Sequence, residues 1–206
     1  ARRPSSHREP RHQCSIFHCS GHRMGAHRSD YADRVNDETI VNREVRFGVG
    51  PGLLEELKRR APATPRRRCR VCLHGSAEAP IQEMVTAVCR DAYFPPHRHG
   101  GDSESLLVLE GELALFFFDD SGRVSDRVEL GAPGSGRTVL FRYRPDVWHS
   151  AVVRSETAVL HEARTGPWVA GGDVVAPWAP APSDAAAIAA WIGRTLETSH
   201  VRDGHR

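Results

Sequence analysis

Between Tyr93 and Arg164 the apolar positions fall in short runs, many with a two-residue period and most rich in β-branched or aromatic side chains. The runs cover 106–109, 113–118, 123–130, 138–143, 148–154 and 158–163, and each reads as a strand. Asp119-Asp120-Ser121-Gly122 predicts a hairpin turn, and the Gly/Pro-rich stretch 131–136 a loop. Strands at roughly ten-residue spacing, with no helices between them, favour a closed barrel or a jelly roll. The expected fold is therefore all-β and mainly antiparallel, with a few flanking helices.

The flanks follow a different period. Residues 51–60 carry leucines at i, i+1 and i+4 among good helix formers, which predicts a short amphipathic helix stopped by Pro62 and Pro65. Residues 68–73 read as a strand. Residues 79–90 read as a second helix, with Ile81, Met84, Val85 and Val88 on one face. Near the C-terminus, Ser183-Asp184 caps a helix running to about Leu196, with Ala187, Ile188, Trp191 and Leu196 apolar. That helix is expected on the outside of the barrel or against a second subunit. Residues 1–40 are rich in Arg, His and Ser and too poor in apolar residues to offset the entropy of ordering. The expected organisation is a disordered tail over 1–43, one folded domain over 44–181, and a C-terminal helix and tail over 182–206.

Composition narrows the partners. A chain of 206 residues suits one domain with appendages. The formal charge is +2, but residues 1–28 hold six arginines and one glutamate, so the remainder is mildly acidic. Basic residues concentrated in a tail rather than on a folded face argue against nucleic-acid recognition. Arginine outnumbers lysine 27 to 1, a bias that a G+C-rich coding sequence explains better than chemistry. The five cysteines are an odd number at low density, which suits a reduced compartment. Cys69 and Cys72 point to opposite faces if they lie on a strand, so they do not form a metal clamp. Cys14, His18, Cys19, His22 and His27 fit no zinc-finger spacing. No apolar run approaches the roughly 18 residues that span a bilayer, and no secretory core opens the chain. A cytoplasmic location without membrane contact is expected.

The chemistry concentrates in His97-Arg98-His99-Gly100-Gly101-Asp102-Ser103-Glu104. The preceding Pro95-Pro96 exclude a helix, and two histidines two residues apart on a strand face the same way, about 7 Å apart. Both can reach one metal ion. Gly100 and Gly101 permit a sharp turn that returns Glu104 toward the histidines as an oxygen ligand. His149, on the β-branched run that begins at Val147, is the fourth candidate, on a strand that would pair antiparallel with the first. Strand alternation sends Arg98 and Trp148 to the opposite faces. Such a set of imidazoles and one carboxylate suits one divalent ion, with Fe, Mn, Zn, Ni and Co not distinguished.

The motif H-x-H-x4-E-x6-G, with a distant histidine after a proline, resembles the metal motifs of the cupin superfamily. Its second half differs, because Pro145-Asp146-Val147-Trp148-His149 lacks the usual glycine and is one residue tighter. Over about residues 66–180, Arg67-Arg68 with Cys72-Leu73-His74, Gln82-Glu83-Met84, Pro96-His97-Arg98-His99, Glu104-Ser105, Leu109-Glu110-Gly111, Phe118-Asp119-Asp120-Ser121-Gly122, Trp148-His149, Glu162, Gly166-Pro167-Trp168 and Ala176-Pro177-Trp178-Ala179-Pro180 resemble the WbuC group of cupin-fold metalloproteins. That resemblance implies a compact β-barrel with one metal ion, held by His97, His99, Glu104 and His149, in a group named for its occurrence with bacterial surface-polysaccharide genes. It favours Glu162 over its neighbour His161 as the inward residue, either as a partner to a ligand imidazole or as a general base, with a surface carboxylate as the alternative. Tyr93, His74, Arg142 and Tyr143 are further pocket candidates. The implied role is a metal-dependent enzyme acting on a small polar molecule, with a non-catalytic metal or metabolite sensor as the alternative. Barrels of this kind commonly pair, which adds a homodimer to the expected partners.

Overall fold

The computed structural model describes residues 32–198 apart from residues 102 and 145. In chain order the strands and helices are β1 (Ala32–Arg34), β2 (Thr39–Asn42), α1 (Pro51–Arg60), β3 (Arg68–Cys72), β4 (Ile81–Cys89), β5 (His97–His99), β6 (Glu104–Glu110) and β7 (Glu112–Phe118). They continue as β8 (Val124–Gly131), β9 (Leu140–Tyr143), β10 (Trp148–Val153), β11 (Thr157–Thr165), β12 (Asp173–Val175) and α2 (Ala185–Glu197). One sheet runs β1-β2-β3-β4-β11-β6-β9 and the other β12-β5-β10-β7-β8. Among these strands only β2 and β3 pair in parallel. The fold is all-β and mainly antiparallel, a small two-sheet jelly roll with flanking helices.

Layering follows from side-chain alternation. Between the sheets, Leu106, Val108, Leu113, Leu115, Phe117, Val128, Leu130 and Leu160 form the central core. The outer face of the first sheet presents Cys69, Val71, Val85, Ala87 and Val159, on which Leu57 of α1 packs. The outer face of the second sheet presents Ala114, Phe116, Phe118, Trp148 and Val152, covered by Trp191 of α2 and by Ala176. Pro51 stands in the first turn of α1, where its missing N–H costs nothing. Asp184 caps α2 by accepting from the Ala187 amide at 2.9 Å.

Two expectations change. The predicted helix over 79–90 is strand β4, the neighbour of β3 and β11. Its Val85, Ala87 and Cys89 face the α1 layer while Met84 and Val88 face inward, so both faces are buried and the two-residue alternation disappears. The apolar residues that remain happen to match a helical period. The tail also ends sooner than residue 43: β1 and β2 form an antiparallel pair, and Ile40 of β2 joins the core under α1. The β-branched run Thr39-Ile40-Val41 carries enough burial to hold it there. The rest of the expected tail, including Cys14, His18, Cys19, His22 and His27, lies outside the described residues.

Candidate metal centre

Local backbone geometry aims the three histidines at one another. His97 and His99 lie on β5, with Arg98 exposed between them and its guanidinium 4.4 Å from the Trp148 ring. His149 on β10 is the direct cross-strand partner of His97. The imidazole centroids of His97 and His149 are 4.4 Å apart, those of His99 and His149 5.1 Å, and those of His97 and His99 5.4 Å. One ring nitrogen from each lies within 4.8 Å of the others. Glu104, at the start of β6 in the facing sheet, places Oε2 2.5 Å from His99 Nε2 and 3.8 Å from His149 Nε2.

The tautomers are set by the backbone. His97 Nδ1 lies 2.9 Å from the Pro95 carbonyl oxygen, and His149 Nδ1 lies 2.8 Å from that of Val147. A carbonyl only accepts, so each Nδ1 carries the proton and each Nε2 presents a lone pair to the site. His99 differs: an Arg164 N–H donates to its Nδ1 at 2.7 Å, while the Asp173 carboxylate stands 3.5 Å from the same nitrogen. Arg164 therefore favours the tautomer with hydrogen on Nε2, facing Glu104, and Asp173 is the acceptor for the opposite one.

Burial shapes the charge states. It holds the His97 imidazole below its ordinary pKa and that of His99 at about 4, with Arg164 adding to the latter. Burial and the nearby His97 take His149 to about 3. Glu104 is pushed well upward by burial and by the Glu162 carboxylate, although the Tyr143 hydroxyl donates a hydrogen bond to it. Three buried atoms, His99 Nε2, His149 Nε2 and Glu104 Oε2, make no aligned hydrogen bond with a described residue, the first and last being in close contact with each other. Buried polar atoms are ordinarily satisfied, so three orphans converging on one point fit a cation. Neutral imidazoles are the state that such an ion requires, whereas the upward shift of Glu104 favours its protonated form, so a bound ion would displace that proton.

A cavity of about 290 Å³ opens above these residues and is lined by His97, His99, Glu104, Tyr143, His149 and Glu162, among others. A second, of about 490 Å³, shares Arg68, Arg70, Glu162, Arg164 and Asp173 with it. The sequence-predicted residues divide accordingly. Tyr143 contacts Glu104 and its ring lies 5.0 Å from that of His149. Glu162 lines both cavities, whereas its neighbour His161 lies 3.3 Å from Glu83 and lines neither. His74 lines only the second cavity, its Nδ1 accepting from the Glu83 amide at 2.9 Å.

Two candidates stand elsewhere. Tyr93 belongs to the layer under α2, where its hydroxyl donates to the Pro180 carbonyl at 2.9 Å. Arg142 pairs in register with Ser105 and is exposed on the opposite face from Tyr143. For Arg142 strand alternation decides the side, whereas Tyr93 lies in the connection between β4 and β5. Sequence reading missed Arg68, Arg70, Arg164 and Asp173. The signal for the first two was Arg68-x-Arg70 at the start of a strand, which places both guanidinium groups on one face.

Residues 50–130 match a family described as a domain of unknown function, DUF6016. That span includes His97, His99 and Glu104 and ends before His149. No curated protein matches the chain. Among similar solved structures is protein SO0799 of Shewanella oneidensis, at 9% identity and TM-score 0.41, with 48% of this chain covering 63% of that one. Another is a cupin superfamily protein of Desulfitobacterium hafniense, at 12% identity and TM-score 0.37 over 48% of this chain and 76% of that one. A third is oxalate decarboxylase of Bacillus subtilis, at 16% identity and TM-score 0.38 over 47% of this chain and 23% of that one.

Proposed function

We propose that this chain is a cupin-type metalloprotein in which His97, His99, His149 and Glu104 hold one divalent ion and the cavity above them admits a small polar molecule for metal-dependent chemistry. The observation that carries this reading is the pair of carbonyl-locked imidazoles, His97 and His149, whose Nε2 lone pairs converge beside the buried Glu104. When bound, such an ion supplies Lewis-acid or redox chemistry. The protein's own groups supply the rest. Asp173 is placed to accept the Nδ1 proton of His99 when Nε2 is engaged. Tyr143 orients Glu104, and Glu162, facing both cavities, is the group placed to take a proton from a bound molecule. The likeness of the sequence to WbuC-group cupins supports a link to surface-polysaccharide metabolism. Four protein donors would also suit a closed tetrahedral ion, which favours a non-catalytic sensor as the second reading.

The test is elemental analysis of untagged protein beside His149→Ala and Glu104→Ala. One ion per chain is expected in the wild type, with at least a tenfold loss of affinity in each variant. Equal metal content in all three proteins would refute the site.

A further inference from the structure

The two cavities meet at a row of arginines on the inner face of the first sheet. Register places Arg70 opposite Thr86, and Thr86 opposite Leu160, so these residues share one face. On the same face lie Arg68 two residues away on β3, and Glu162 and Arg164 beyond Leu160 on β11. Glu104 is paired with Arg164 across β6. The arginine row thus runs along the sheet to the carboxylate of the proposed metal centre.

The charges along this row are not balanced. Arg164 lies 3.3 Å from Asp173, and Arg66, at the outer cavity, is ion-paired with Glu38. Among the described residues Arg70 reaches neutral atoms, the Thr39 hydroxyl at 3.3 Å and the Met84 sulfur at 3.8 Å. Arg68 has its guanidinium 4.9 Å from the centre of the Phe94 ring and forms no ion pair with a described residue. Burial and its neighbours Arg66 and Arg70 bring Arg68 down to about 10 against the opposing pull of Glu38 and Glu162. Both arginines line both cavities. Two half-buried guanidinium groups that line both cavities without an ion pair to a described residue offer one half of an oxyanion contact.

We propose that Arg68 and Arg70 seat the oxyanion of a small acidic ligand, a phosphate or carboxylate group, whose other end enters the cavity over the histidine cluster. This rests on the metal-centre reading above and gives it a ligand class. The geometry places the anion between the cavities, and a volume of about 490 Å³ suits a small molecule rather than a polymer. Glu162, on the same row, lines both cavities on the metal-centre side of Leu160.

The test is calorimetric titration of full-length, metal-loaded protein with inorganic phosphate and with malonate, on the wild type, Arg68→Gln and Arg70→Gln. Metal content and melting temperature are measured on the same samples. Saturable binding of at least one anion to the wild type is expected, weakened at least tenfold in each folded variant with metal content unchanged. Phosphate alone would identify a phosphorylated ligand, and malonate alone a carboxylate. Should Arg68→Gln fail to fold, Arg70→Gln decides, because that side chain is not packed on an aromatic ring. Metal-loaded wild type that binds neither anion overturns the proposal while leaving the metal centre standing, as does binding undiminished in the variants. A wild type that binds no metal overturns the metal-centre reading and, with it, this assignment of a ligand.

Discussion

His97 and His149 owe their chemical state to two carbonyl oxygens, each two residues earlier in the chain. The i−2 carbonyl holds the proton on Nδ1, so the ligand lone pair is prepared by local backbone rather than by distant packing. His99 is prepared differently, by the rivalry of Arg164 and Asp173. The same burial has a thermodynamic consequence for the metal-free protein. His99 at about 4 and His149 at about 3 both titrate below the ordinary histidine value of about 6.5. As pH falls below about 6.5 the unfolded chain takes up these protons first, so stability falls with pH until about 4 for His99 and about 3 for His149. Glu104, shifted upward, acts in the opposite sense, favouring the fold less as pH rises above the ordinary carboxyl range. Chelator-treated Glu104→Gln isolates the histidines: it should lose roughly 2 to 4 kcal/mol between pH 6.5 and 5. A melting temperature that stays level over that interval would contradict the buried neutral imidazoles.

At the scale of elements, the crossing from β6 to β7 depends on a single glycine. Gly111 joins β6 of the first sheet to β7 of the second at φ 76°. A Cβ there would collide with the Thr157 carbonyl oxygen and the Ser155 hydroxyl. That hydroxyl ties the corner together, accepting from the Glu112 amide at 3.0 Å and donating to the Thr157 carbonyl at 2.7 Å. Gly111→Ala combines a strained left-handed backbone with a clash against main chain. It should lower unfolding free energy by about 2 kcal/mol or more in denaturant titration. A loss under about 0.5 kcal/mol would mean that the corner is not held as described.

The whole molecule separates function from cover. The residues of the proposed metal and anion sites face the space between the sheets, while α1 and α2 shield the two outer faces. Trp191 of α2 is 7% exposed, and its ring lies 5.9 Å from those of both Tyr93 and Phe118. Trp191→Ala should cost about 3 to 5 kcal/mol and expose Phe116, Phe118 and Trp148 to a hydrophobic dye. Metal content should stay at the wild-type level, because His149 points to the other face of β10 from Trp148. Loss of metal without unfolding would show that the layers are coupled. Among the described residues no helix is long and apolar enough to cross a membrane.

What the chain determined by itself was local. Two prolines before His97 impose an extended backbone, two-residue spacing puts His97 and His99 on one side, and alternating runs specify most of the antiparallel strands. Those are nearest-neighbour effects, readable without partners. Only the tertiary structure decided the rest. β4 is a strand because both of its faces are buried, β2 is ordered by β3 and the α1 layer, alternation carried Arg142 away from the cavity, and packing against Trp191 holds Tyr93 in the outer layer. The arginine row exists only when β3, β4, β11 and β6 lie side by side, with residues from 68 to 164 in register. Long-range pairing of that kind leaves little trace in the local pattern, since each arginine alone reads as an ordinary exposed charge.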